Sequence, residues 1–128
     1  MALLNQEHHD IRDMVSKFAQ GEVGPLAANI DKEEKIPAEL ITKLAQNGLL
    51  GSFVPEEYGG AGMDYRSYAI IVEELSRFCA STGVLVSAHS SLATWPILAF
   101  GTEEQKKKYL PKLASGELVG CFCLSEPN

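Results

Sequence analysis

Cysteine and positive charge are both scarce: the chain has three cysteines, and 11 lysines and arginines against 17 aspartates and glutamates, giving a net charge of −6. The one basic cluster, Lys106-Lys107-Lys108, follows Glu103 and Glu104 and reads as a balanced helix face, which argues against a nucleic-acid partner. Cys79, Cys121 and Cys123 form an odd set without zinc-type spacing. They are expected to be reduced, buried thiols of a reducing, intracellular compartment. No apolar run approaches the ~18 residues of a membrane-spanning helix, and the amino terminus lacks the basic-then-apolar order of a signal peptide, so a cytoplasmic protein is expected. A GxGxxG or Walker loop is missing too, because Gly59-Gly60-Ala61-Gly62 is short and follows no strand.

Paired ionisable residues do not supply a site either. His8-His9 has no third ligand at helical spacing, so a solvated pair is expected rather than a metal. Glu56-Glu57 and Glu73-Glu74 are neighbours in sequence, and neighbours on a helix diverge. Neither pair sits beside an apolar surround that would raise a carboxylate pKa. No nucleophile, base and orienter come together along the chain.

What is present is one domain's worth of ordinary globular sequence, 128 residues with 45% hydrophobic and 22% charged. Asn5 caps a first helix carrying Ile11, Met14, Val15, Phe18 and Ala19, weakened by Gly21 and Gly24. Pro25 restarts a short piece with Leu26 and Ile30. Pro37 opens the next helix, with Leu40, Ile41, Leu44 and Ala45 on its buried stripe, and Asn47-Gly48 stops it. Residues 49–62 read as a long shaped loop, either functional or a packed crossing between helices. Asp64 caps a helix in which Tyr68, Val72, Leu75 and Cys79 form the stripe while Glu73, Glu74 and Arg77 stay nearer water.

The pattern changes after Ser81-Thr82-Gly83. Val84, Leu85, Val86, Ala88, Leu92, Ala93 and Trp95 leave little polar face, so this helix is expected to be central and covered nearly all round. His89 reads either as a satisfied core histidine or as part of a pocket wall, since the small Ser87, Ser90, Ser91 and Thr94 around it leave volume for an apolar ligand. Pro96 opens a turn closed by Gly101, and Thr102 to Gln105 form a capping box for a last helix. Pro111 kinks that helix or begins a new turn before the stop at Gly116. The fold class is thus all-α, an orthogonal or up-down bundle of about six helical pieces.

One alternating run, Leu118-Val119-Gly120-Cys121-Phe122-Cys123-Leu124, reads as a β-strand feeding Ser125-Glu126-Pro127-Asn128. Residues 1–117 then form a helical domain, and residues 118–128 the first strand of a middle β domain. A strand that ends in a hydroxyl and a carboxylate delivers polar groups to a site, though Ser125 could equally start a turn before Pro127. Anything Ser125 touches at such a site would be completed by residues beyond these.

Several strings carry a resemblance: Val54-Pro55-Glu56-Glu57-Tyr58-Gly59-Gly60-Ala61-Gly62, Val72-Glu73-Glu74-Leu75-Ser76-Arg77, Cys79-Ala80-Ser81-Thr82-Gly83, Phe100-Gly101-Thr102-Glu103-Glu104-Gln105-Lys106, Tyr109-Leu110-Pro111-Lys112-Leu113, and Gly116-Glu117 through Pro127. In their joint order and spacing they resemble the amino-terminal domain of the acyl-CoA dehydrogenase family. Residues 80–92 with Trp95-Pro96-Ile97 are most similar to its short-chain, butyryl-CoA type. The resemblance implies an FAD-dependent oxidoreductase of fatty acid β-oxidation, cytoplasmic or in the mitochondrial matrix. It would oxidise acyl-CoA to trans-2-enoyl-CoA and pass electrons to an electron-transfer flavoprotein, with the full-length protein a homotetramer.

By position, the resemblance places Phe122, Leu124 and Ser125 against the flavin, and Leu85, Val86, His89 and Leu92 along the acyl pocket. Helical period puts Leu85, His89 and Leu92 on one face and Val86 on the next. Glu126 is not the catalytic base: in the family that glutamate belongs to a carboxyl-terminal domain, so no catalytic residue and no metal ligand is expected in this chain, which is expected to be inactive and to hold FAD weakly by itself. Asn128 stands where many relatives have glycine. Two alternatives remain, a stand-alone helical interaction module and an acyl-CoA oxidase-type flavoenzyme.

Overall fold

The structure, a computed structural model, describes residues 3–126; Met1, Ala2, Pro127 and Asn128 lie outside the described residues. Seven α-helices run in chain order: α1 (Gln6–Phe18), α2 (Ala27–Glu33), α3 (Ala38–Gln46), α4 (Tyr65–Ser76), α5 (Ala80–Ser87), α6 (Trp95–Phe100) and α7 (Glu103–Ala114). A π-helical turn at Ala19–Val23 and a 3₁₀ turn at Gly24–Leu26 join α1 to α2, where the weakening by Gly21 and Gly24 is expected. Helix α4 is sandwiched, with α1 on one side and α5 on the other, while α7 packs on α6 and on the short turn Glu56–Tyr58.

Local chemistry sets most of the boundaries. Asn5 Oδ1 accepts the His8 N–H at 3.0 Å, Asp64 Oδ1 the Ser67 N–H at 2.8 Å, and Thr102 with Gln105 closes a reciprocal box at the start of α7. Gly48 and Gly116 take positive φ, 72° and 73°, and stop α3 and α7. The core joins Val15, Ala19, Val23, Leu40, Leu44, Ile71, Leu75 and Val86 with Leu49 and Leu50. Residues 49–62 are therefore a packed crossing: Phe53, Val54 and Tyr58 are also buried, and each large apolar side chain so covered contributes roughly 1.5–3 kcal/mol.

Several expectations are corrected. His8 is buried and not solvated: its Nδ1 accepts the Asn5 N–H at 3.0 Å, which places the ring proton on Nε2, 3.0 and 3.1 Å from the two Asp64 oxygens. The histidine thus ties the first turn of α1 to the cap of α4. Glu74 is also buried, held by Arg77 Nη1 at 2.7 Å and Arg12 Nε at 3.9 Å, while Ile70 and Ile71 take core positions beside it. Of the cysteines only Cys79 is buried; Cys121 and Cys123 are exposed free thiols.

The largest correction concerns Pro96, which opens no turn. Helices α5 and α6 are parts of one helical run, Ala80–Phe100, joined by a π-helical turn at Ala88–Thr94. A proline inside an α-helix loses a hydrogen bond and clashes with the carbonyl four residues back. The wider π turn just before Pro96 moves that carbonyl aside, and the Thr94 hydroxyl donates to the His89 carbonyl at 2.8 Å within it. By length and composition this 21-residue run could cross a membrane, although no such run was expected, because the sequence divides it at hydroxyls and proline. One of its faces packs in the bundle. The other is not covered: Val84 is 65% exposed and Phe100 79%, with Leu92 and Trp95 between them.

No strand forms among the described residues. Residues 118–126 are extended but unpaired, since a β-strand exists only through a neighbour's hydrogen bonds and none lies beside this segment.

Candidate functional site

The extended segment begins at a firm anchor. Gly116 turns the chain out of α7, the Leu118 N–H donates to the Lys112 carbonyl at 3.0 Å, and the Gly120 N–H donates to His89 Nδ1 at 3.0 Å. Gly120 lies so close to the helical run that a Cβ built on it would sit 2.3 Å from the Ala93 Cβ. Only glycine fits there, and a glycine inside an expected strand is the sequence signal for such close approach.

Beyond Gly120, no backbone hydrogen bond joins residues 121–126 to the rest of the described chain. Their side chains stand out as well, with Phe122 55% and Leu124 76% exposed and Ser125 also outward. Buried backbone donors and acceptors are nearly always paired, so a segment of free N–H and C=O groups flanked by bare apolar side chains is suited to a ligand or a partner strand. The fit to a flavin is that of one wall: apolar side chains for a ring face, backbone groups and one hydroxyl for its heteroatoms.

The four residues expected along an acyl pocket do not converge. His89 and Val86 are fully buried against the bundle, Leu85 is half-buried beside the core, and Leu92 faces out. The π turn is the reason, because its extra residue breaks the 3.6 period on which Leu85, His89 and Leu92 would share a face. The outward face instead carries Val84, Leu92 and Trp95, with Trp95 Nε1 donating to the Tyr65 hydroxyl at 2.8 Å and its ring edge-on to Phe100. The long, nearly uniform apolar run hid this aromatic cluster from sequence reasoning.

His89 answers the open choice in favour of a core histidine, though an incompletely satisfied one. Its Nδ1 accepts from Gly120, so the proton lies on Nε2, which has no hydrogen-bond partner among the described residues. Burial pushes its pKa below the ordinary histidine value, opposed by the backbone of Leu113 and Leu50.

Away from this face, Tyr58 donates to Glu103 Oε2 at 2.8 Å and locks residues 49–62 onto α7. That hydrogen bond raises the Tyr58 pKa to about 12 and lowers that of Glu103. An open cleft of about 820 Å³ lies between α1 and α3, bounded by Asp10, Asp13, Lys17 and Glu22, and the Lys43 ammonium pairs with Glu22 across it. Its mixed charge and open shape give it no convergent chemistry.

Comparisons with known proteins agree in direction. The family model described as "Acyl-CoA dehydrogenase, N-terminal domain" matches residues 5–117. The chain is 51% identical over 125 residues to the short-chain specific acyl-CoA dehydrogenase of Clostridium acetobutylicum, which covers 98% of this chain and 33% of that protein. Among solved structures, an acyl-CoA dehydrogenase of Bacillus anthracis complexed with FAD superposes with a TM-score of 0.91 at 40% identity, covering 98% of this chain and 21% of that one. A chain of the structure described as the electron transferring flavoprotein of Acidaminococcus fermentans gives a TM-score of 0.94 at 44% identity, covering 99% and 34%. The chain thus spans about a third of the length of the curated relatives it matches.

Proposed function

Because the chain belongs to the acyl-CoA dehydrogenase family through that amino-terminal domain, we propose that it forms the helical third of a flavoprotein that oxidises short-chain acyl-CoA to trans-2-enoyl-CoA. The observation that carries this reading is the juxtaposition of the unpaired segment 121–126 with the bare apolar face of Ala80–Phe100. Together they make two sides of a cleft that other parts of a longer protein would close, residues 118–128 being the first strand of its β domain.

FAD, when bound, supplies the two-electron acceptor that amino-acid side chains lack. Phe122 and Leu124 offer apolar contact to the ring system and exclude water from it. The Ser125 hydroxyl holds the reacting edge of the flavin, while the free backbone groups of Leu124 and Ser125 bind its pyrimidine side. Leu92 lies on the face along which a short acyl chain would run, with Leu85 at its margin, and Val86 and His89 support that face from behind. No residue here serves as the base that takes the α proton, so the carboxylate for that step comes from elsewhere in the longer protein. Electrons leave to an electron-transfer flavoprotein, and the whole is a homotetramer of the cytoplasm or the mitochondrial matrix.

The test is an anaerobic titration of the purified gene product that carries this sequence. A yellow protein whose visible absorption bleaches with butyryl-CoA is expected. A colourless, folded native product would overturn the reading, and a yellow protein reoxidised rapidly by oxygen would make it an oxidase.

A further inference from the structure

We propose that His89 is a positioning residue for the flavin, acting through Gly120 and without touching cofactor or substrate. The inference rests on the flavin reading above and departs from the placement of His89 in an acyl pocket.

The geometry supporting it is specific. The His89 ring is wholly enclosed, and its only hydrogen bond among the described residues accepts the Gly120 N–H at 3.0 Å. Gly120 is also the last residue of the segment held to the bundle, pressed on Ala93 one turn further along the same helical run. From that point the chain is free of backbone hydrogen bonds through Glu126. The direction in which Phe122, Leu124 and Ser125 leave the bundle is therefore set at one peptide, and an extended chain carries Ser125 roughly 16 Å from it. A small rotation at Gly120 moves Ser125 by ångströms, and reacting groups misplaced by about 1 Å lose much of their effect.

The histidine is suited to this role because burial disfavours its charged form, leaving a neutral ring with a fixed acceptor. Nε2 has no bond of its own to trade, so the ring contributes one oriented lone pair at one place. Asparagine can present Oδ1 where Nδ1 lies, whereas leucine has the same branching and no acceptor.

Two sets of measurements test the proposal with His89→Asn and His89→Leu. In the ¹⁵N-labelled 128-residue chain, wild-type His89 should show the Nε2–H tautomer. Gly120 amide exchange should accelerate about tenfold or more in His89→Leu and stay near wild type in His89→Asn. In the FAD-loaded longer protein, His89→Leu should weaken FAD retention about tenfold and alter the visible circular dichroism of the flavin, and His89→Asn should restore both. Unchanged Gly120 exchange in His89→Leu would overturn the proposal, as would equal loss in both variants, which marks a merely structural histidine. A wild-type protein that binds no FAD would defeat the flavin reading itself, with the Gly120 measurements still deciding whether the clamp exists.

Discussion

Asp64 does three things with one carboxylate. It caps α4 through the Ser67 N–H, accepts the Ser67 hydroxyl at 2.8 Å, and receives Nε2 of the buried His8. These hydrogen bonds, the Ser67 backbone first, hold its pKa down from 3.8 to about 2. A carboxyl whose pKa is lower folded than unfolded adds stability that is fully present above about pH 4 and is lost as the pH falls toward 2. Replacing Asp64 by alanine is expected to cost about 1–3 kcal/mol at pH 7, since the helix loses its cap and His8 keeps a buried donor without a partner. Asparagine should cost less, because its amide oxygen still caps. Urea melts at pH 7 and at pH 3 check both statements: the gap between wild type and Asp64→Asn should narrow at the lower pH.

Among the elements, the contact between α4 and α5 is the least forgiving. A Cβ on Gly83 would sit 1.9 Å from Ser76 Oγ, 3.0 Å from its Cβ and 3.2 Å from its Cα, so the two helices meet where one has no side chain. Gly83→Ala is expected to destabilise by about 1–3 kcal/mol despite alanine's better helix propensity. Adding Ser76→Ala should recover only part of the loss, because the Cβ and backbone of residue 76 remain in the way. Full recovery in thermal melts of the double variant would show that the hydroxyl alone is the obstacle. The boundaries of these same helices could be read in advance, since Asn5, Asp64, Thr102, Gly48 and Gly116 act within a turn of themselves. The burial of Glu74 and His8 could not, because both depend on partners far away in sequence, Arg12 for one and Asp64 for the other. Phe122, Leu124 and Ser125 were identified through family resemblance, as no local rule separates a site serine from a turn serine.

At the scale of the whole molecule, the fold is finished on one side and bare on the other. Val84, Leu92 and Phe100 on the helical run, with Phe122 and Leu124 on the segment beyond it, expose more contiguous apolar surface than a solitary globule usually tolerates. Sedimentation of the isolated 128-residue chain should therefore show concentration-dependent self-association, reduced by Leu92→Ser with Phe100→Ser at unchanged melting temperature. A strictly monomeric wild type at high concentration would contradict this. All-α architecture was legible in the periodicity, but the bareness of one face was not: a helix apolar all round looks the same whether its cover lies in the same bundle or elsewhere. The π turn at Ala88–Thr94 carries a separate consequence, for heredity. A π turn is an α turn with one residue inserted, so losing any single residue there would let the helix close as plain α and swing everything after it by about 100°. Substitutions in this stretch alter one contact at a time, whereas a single codon deletion would turn Trp95 and Phe100 toward new neighbours and dislodge Ala93 from Gly120. Over these seven residues, the number of amino acids is a heritable trait distinct from their identities.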